Sequence, residues 1–233
     1  LVAIDPKTGQ ILSMVGSINY FDIANDGNFN VTLAHRQPGS SFKPFVYATA
    51  LNKGYTPETI VFDLPTEFST SCTPLGVPKT TDAVCYSPVN YDDVFVGPIT
   101  FKEALAQSRN IPAVKVLYLA GISNAIKMAR NMGLSTLVDA SRYGLTLVLG
   151  GGEVTLLEMA NAYGVFATEG VRHLHTSILK IEDSNSKTLE KYQDQGVIVL
   201  DQNIARQISD ILSDNIARAP AFSLNSSLNI PNY

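Results

Sequence analysis

The chain is poor in the residues that metal and redox chemistry use, with two cysteines, Cys72 and Cys85, and three histidines, His35, His173 and His175. So small a set argues against a structural zinc centre or a metal enzyme and cannot form a disulfide scaffold, so no metal or other cofactor is expected. Charge is also scarce, at 16% of residues against about 25% in an average soluble domain. The 17 Lys and Arg are scattered singly among 21 Asp and Glu, for a net charge of −4. A phosphate-tracking surface needs clustered cations, which excludes nucleic acid as a partner. No run approaches the roughly 18 apolar residues of a membrane span, and the first residues lack the regions of a signal peptide. Membrane association is therefore expected only through an anchor outside this chain. What is present is a 45% hydrophobic fraction over 233 residues, enough for a sizeable core in one large domain or two small ones.

Val2-Ala3-Ile4, the turn Asp5 to Gly9, and Gln10 to Val15 predict a hairpin. Residues 17 to 37 are polar, rich in Asn and without a period, which predicts a surface segment. From Ser40 to about Lys53 apolar residues recur near helical spacing, with Pro44 harmless in the first turn and Gly54 as the stop. Residues 55 to 100 carry eight prolines and glycines and predict a long irregular excursion, the kind of loop that often carries function. Cys72 and Cys85 fall inside it, 13 positions apart, either as two buried thiols or as a disulfide contributing about 3 kcal/mol.

Thr100 to Gln107 and Pro112 to Leu119 predict two helices, with Ser108-Arg109-Asn110 in the joint. A helix from about Ser123 to Met132 ends at Gly133. After Gly150-Gly151-Gly152, read as a lead-in rather than a phosphate cradle, Thr155 to Glu158 predicts a capping box opening a helix to about Thr168. Residues 176 to 182 alternate as a strand, Asp183 to Lys187 turn, and Asp201 to about Leu212 form a last helix.

The informative constellation is Ser40-Ser41-Phe42-Lys43. Residues three apart on a helix share a face, so a hydroxyl and an amine can meet as nucleophile and base. The pattern alone is weak, because Ser177 to Lys180 and Ser184 to Lys187 also match it. The first would place its ends on opposite faces of a strand and the second lies in a polar turn, whereas Ser40 opens a helix. An ordinary N-cap serine is the competing reading.

Its surroundings distinguish the two. Arg36-Gln37-Pro38-Gly39-Ser40-Ser41-Phe42-Lys43-Pro44-Phe45, Tyr86-Ser87-Pro88-Val89-Asn90-Tyr91-Asp92, Ser108-Arg109-Asn110-Ile111-Pro112-Ala113-Val114 and Gly152-Glu153-Val154-Thr155 resemble, in order, the transpeptidase domain of class A penicillin-binding proteins, within the wider penicillin-binding protein and serine β-lactamase superfamily. The likeness runs from Val2 to about residue 230. It implies a mixed α/β (α+β) penicillin-binding transpeptidase fold, with a helical subdomain plus an antiparallel sheet, over a single domain of residues 1–233. It further implies that Ser40 is the nucleophile, Lys43 its activator, Ser108 a proton relay, and Asn110 a hydrogen-bonding partner of the bound peptide. Lys43 can accept a proton only if burial and neighbours lower its pKa.

The resemblance implies a serine D,D-transpeptidase that crosslinks peptidoglycan stem peptides through an acyl-enzyme and is acylated by β-lactams. The location it implies is the extracytoplasmic face of the bacterial membrane, which raises the expectation of a Cys72–Cys85 disulfide. A carboxypeptidase or β-lactamase-like hydrolase, and a non-catalytic penicillin-binding remnant, are the alternatives. The family's third motif, Lys-Thr-Gly, follows the Ser-x-Asn joint, whereas Lys7-Thr8-Gly9 precedes the nucleophile in a hairpin turn. Ser213-Asp214-Asn215 likewise lacks the Ile-Pro-Ala-Val continuation. Both are read as decoys, and the chain is expected to be a C-terminally truncated domain with an incomplete sheet and no glycosyltransferase unit.

Overall fold

A computed structural model describes residues 1–230. The chain opens with an antiparallel hairpin, β1 (Val2–Ile4) and β2 (Ile11–Met14), as its turn chemistry predicts. Asp5 closes the turn by accepting from the Lys7 N–H and the Thr8 hydroxyl. Gln10 then forms a parallel bridge to Thr176, which extends the hairpin by one more segment.

A 3-10 turn over Gly39–Phe42 leads into α1 (Lys43–Asn52), so the α-helix starts three residues later than the sequence predicts. Every residue of α1 from Lys43 to Leu51 is buried. A helix without a polar face must sit inside a bundle, and α1 is enclosed by α2 (Phe101–Ala106), α3 (Asn110–Ala120), α4 (Ile122–Asn131) and α6 (Gln202–Ser213). The small side chains Ala48, Ala50, Ala113 and Ala120, all fully buried, let the axes approach. A fifth helix, α5 (Leu156–Ala167), lies between α6 and the opening hairpin.

The sequence reading needs four corrections. The excursion from 55 to 100 is not wholly irregular, because β3 (Ile60–Asp63) and β4 (Gly97–Thr100) pair antiparallel at its two ends. These strands are four residues long with a proline in one, too short for periodicity to reveal. The strand predicted over 176–182 is formed only at β6 (Lys180–Glu182), because Thr176 is taken up by its bridge to Gln10. Ser177 therefore lies ahead of the strand rather than on one of its faces. The capping box at Thr155 is half-formed. Thr155 accepts from the Glu158 N–H, while the Glu158 carboxylate instead accepts from Ser135. Finally, α6 is followed by α7 (Asn215–Phe222), which has Pro220 inside it. Proline reads as a breaker, but Asp214 caps this helix by accepting from the N–H groups of Ile216 and Ala217.

Between α5 and α6, β5 (Val171–Arg172) pairs with β8 (Val197–Ile198), and β6 pairs with β7 (Thr188–Lys191) across the predicted turn. The described residues thus hold seven α-helices and four two-stranded antiparallel ladders, a mixed α/β architecture with a helical body. No helix among them is long and apolar enough to cross a membrane. Cys72 and Cys85 form a disulfide.

Candidate active site

Four segments build the turn that carries Ser40. Gly39 adopts φ +60°. The Arg36 and Val154 backbones exchange two hydrogen bonds of 2.9 and 3.0 Å, pinning the approach to the turn. Gly150 packs so closely on it that a Cβ there would lie 2.2 Å from the Gly39 nitrogen. The triple glycine is therefore a backbone-to-backbone contact as well as a helix lead-in. From α5, the Tyr163 hydroxyl donates to the Ser41 carbonyl at 2.8 Å. These contacts also separate the two adjacent serines. The Ser41 hydroxyl is engaged with the Pro38 carbonyl at 2.6 Å, whereas the exposed Ser40 hydroxyl makes no hydrogen bond among the described residues.

Lys43, the first residue of α1, is 1% exposed. Its Nζ lies 2.6 Å from the Ser108 carbonyl, 2.8 Å from Asn110 Oδ1 and 3.1 Å from Ser108 Oγ. All three partners are neutral oxygens, and no carboxylate pairs with this amine among the described residues. Burial accordingly pulls its pKa down from 10.5 to about 7. A neutral amine has two N–H groups and one lone pair. Directed at the Ser108 carbonyl and Asn110 Oδ1, the two donors leave the lone pair for a hydroxyl proton, from Ser108 or from another approaching hydroxyl.

The bend between α2 and α3 brings Ser108 and Asn110 to this amine. Ser108 has φ +54°, a left-handed conformation that non-glycine residues adopt at a cost of about 1–2 kcal/mol. Flanking residues alternate in direction: Ser108 and Asn110 face Lys43, while Arg109, 4% exposed, turns away. Its guanidinium reaches Asp92 at 2.9 Å and the Val94 carbonyl at 3.1 Å, and lies 5.7 Å from the centre of the Tyr91 ring. Lys43, Ser108 and Asn110 are thus brought together, with Ser40 one turn before Lys43. Sequence reasoning missed Tyr163, whose contact spans 122 positions, and the partners of Arg109 in the excursion.

The other matches to the pattern lie elsewhere. Lys7-Thr8-Gly9 is the hairpin turn, in which a Cβ on Gly9 would meet the Leu174 carbonyl at 2.0 Å. Ser213-Asp214-Asn215 joins α6 to α7, with Asp214 acting as the cap and as the partner of Lys102 at 2.6 Å. A cavity of about 540 Å³ sits at the far end of α1, lined in part by Thr49, Lys53, Lys127 and Asp201. There the Thr49 hydroxyl and the Lys53 amine both donate to backbone carbonyls, so they form no nucleophile–base pair.

Residues 1–219 match the family model of the penicillin-binding protein transpeptidase domain. The chain is 33% identical over 219 residues, 93% of its length, to penicillin-binding protein 1A of Rickettsia bellii, and 36% identical over 203 residues to that of Pseudomonas aeruginosa. It spans 26% and 23% of those two proteins. Its fold superposes on 34% of the crystal structure of penicillin-binding protein 1A from Haemophilus influenzae, with a TM-score of 0.78 and 26% identity over 93% of this chain. It also superposes on PonA1 of Mycobacterium tuberculosis solved in complex with penicillin V, with a TM-score of 0.75 and 20% identity, covering 95% of this chain and 56% of that one. A serine–lysine turn, a Ser-x-Asn bend closing on the lysine and a family match over 219 residues lead to one conclusion: this chain belongs to the transpeptidase domain family of the penicillin-binding proteins.

Proposed function

We propose that the chain carries the acyl-transfer site of a serine D,D-transpeptidase that crosslinks peptidoglycan stem peptides and is acylated by β-lactams on Ser40. The observation that carries this reading is the buried Lys43 amine. Among the described residues it lies against neutral oxygens only, with its pKa brought to about 7, one turn after a serine whose hydroxyl makes no hydrogen bond there. Near neutral pH such an amine is a base of matched strength. The fold shared with a protein captured with penicillin V supports β-lactams as ligands. Stem peptides exist outside the cytoplasmic membrane, so the site works on its extracytoplasmic face, where a Cys72–Cys85 disulfide persists.

In the first half-reaction the Ser40 hydroxyl rotates toward Lys43 and gives its proton to Nζ while Oγ bonds to the substrate carbonyl carbon. Collapse of the tetrahedral adduct breaks the C–N bond. The leaving amine takes the Ser108 proton, and Ser108 is reprotonated from the Lys43 ammonium, which leaves an ester on Ser40 and a neutral amine at Lys43. In the second half an acceptor amine attacks the ester, its proton passes through Ser108 to Lys43, and Lys43 returns one to Ser40 Oγ as the ester bond breaks. Asn110, beside Lys43, supplies a polar contact for the donor peptide.

Intact-mass analysis of the complete gene product with penicillin tests this reading. A single adduct, lost in Ser40→Ala and kept in Ser41→Ala, is expected. Labelling that survives Ser40→Ala would sink the assignment, and rapid release of hydrolysed penicillin would mark a hydrolase instead.

A further inference from the structure

The bend that presents Ser108 and Asn110 is capped from outside itself. Arg109 occupies the N-cap position of α3 but makes no side-chain cap. The first N–H groups of the helix are satisfied instead by Asn90, from the far end of the proline-rich excursion. Its Oδ1 accepts from the Asn110 N–H at 2.9 Å and the Ile111 N–H at 3.3 Å. Asn90 is 1% exposed, and its amide nitrogen donates to Asp63 Oδ1 and to the Val94 carbonyl, both at 2.8 Å. Asp63, at the end of β3, is fully buried, and its second oxygen accepts from the Val96 N–H at 3.3 Å. Asn110 closes the circuit by donating from Nδ2 to the Val89 carbonyl at 2.9 Å.

We infer that Asn90, fixed by the buried Asp63 carboxylate, is a positioning residue for acyl transfer: it holds the Ser108–Asn110 bend against Lys43. Two facts make the cap more than a general stabiliser. The left-handed Ser108 backbone persists only if its surroundings over-determine it, and Asn90 binds the residue two positions on. The oxygens that orient the Lys43 amine, Ser108 O and Asn110 Oδ1, belong to the residues Asn90 restrains. Loss of the cap leaves two helix N–H groups unpaired in a buried place and lets the bend relax away from the amine. Asn90 makes no hydrogen bond to Lys43 among the described residues and acts through the bend. The inference rests on the acyl-transfer reading above.

The test measures the second-order acylation rate of the complete gene product by a fluorescent penicillin, with each variant held at the same interval below its own melting temperature. Wild-type labelling at Ser40 is the first requirement, and its failure would count against the function itself. Given labelling, Asn90→Ala is expected to acylate at least tenfold more slowly. A core variant of similar stability loss outside the Asp63–Asn90 cap network, Ile208→Ala in α6, is expected to keep its rate within twofold. Asn90→Asp sets two carboxylates face to face and is expected to be slow. Adding Asp63→Asn reverses the polarity of the pair, with the new amide donating to residue 90, and is expected to recover at least a fivefold gain. If Asn90→Ala matches the wild-type rate, or Ile208→Ala is slowed as much, the inference is overturned. Should Asn90→Ala not fold, equal rates for Asn90→Asp and the reversed pair would overturn it as well.

Discussion

Ser40 and Ser41 are neighbours with the same side chain, and what separates them chemically is a hydrogen bond. Ser41 is bound to the Pro38 carbonyl, while the exposed Ser40 hydroxyl, one turn before Lys43, makes no hydrogen bond among the described residues. Because only the neutral amine can take a proton, the acylation rate is expected to rise with pH through a midpoint near 7 and then level. A flat profile from pH 5.5 to 8.5 in stopped-flow acylation would contradict Lys43 as the base. At Gly150 the requirement is steric. Alanine there would combine a left-handed backbone, φ +93°, with a Cβ 2.2 Å from Gly39. Gly150→Ala is expected to lose more than about 2 kcal/mol of stability and to slow acylation by displacing the Ser40 turn. A urea denaturation curve matching wild type would refute this.

Among the elements, α1 shows how far a local pattern reaches. Its apolar spacing marked a helix opening at the serine–lysine motif, whereas the first turn is 3-10 and is contacted by Gly150 and Tyr163, more than a hundred residues away. The excursion from 55 to 100 behaves in the opposite way. Its prolines and glycines correctly signalled a long loop, yet its ends pair as strands and its last turn reaches back to cap α3. The disulfide closes the tip, and Glu67 draws the two sides together by accepting from the Ser69 and Tyr86 N–H groups at 2.7 Å each. Replacing both Cys72 and Cys85 by serine is expected to remove about 3 kcal/mol, or about 6–12 °C in melting temperature. A melt shifted by less than 2 °C would show that the loop is already ordered when unfolded.

At the scale of the whole molecule, the buried titratable groups impose a pH dependence on stability. Lys43 releases its proton near pH 7 when folded but near 10.5 when unfolded, so the unfolded chain holds more protons between these values. Stability is therefore expected to rise with pH from about 7 to about 10. Above that, the trend reverses. Tyr47, fully buried, and Tyr163, pushed up to about 12 by burial, stay protonated in the fold while their unfolded counterparts ionise near 10. Denaturant midpoints measured from pH 6 to 11 should pass through a maximum, and Lys43→Met should flatten the rising limb. A rising limb that persists unchanged in Lys43→Met would assign it to other groups.

Legible in the amino-acid order were the opening hairpin, the helices flanking the Ser108 bend, and the family with its mixed α/β class. The hairpin and the helices follow from periodicity and turn residues, which act within a few positions along the chain, while the family and its fold class follow from the resemblance of four motif segments in order. Packing alone sets which of the two serine hydroxyls is hydrogen-bonded among the described residues, how the Lys43 amine is kept neutral, and that Asn90 caps a helix 20 residues away. Each depends on burial or on hydrogen bonds between distant segments. A buried amine and an externally capped helix arise only when those segments pack, and the order of the letters carries no trace of which groups will lose water together.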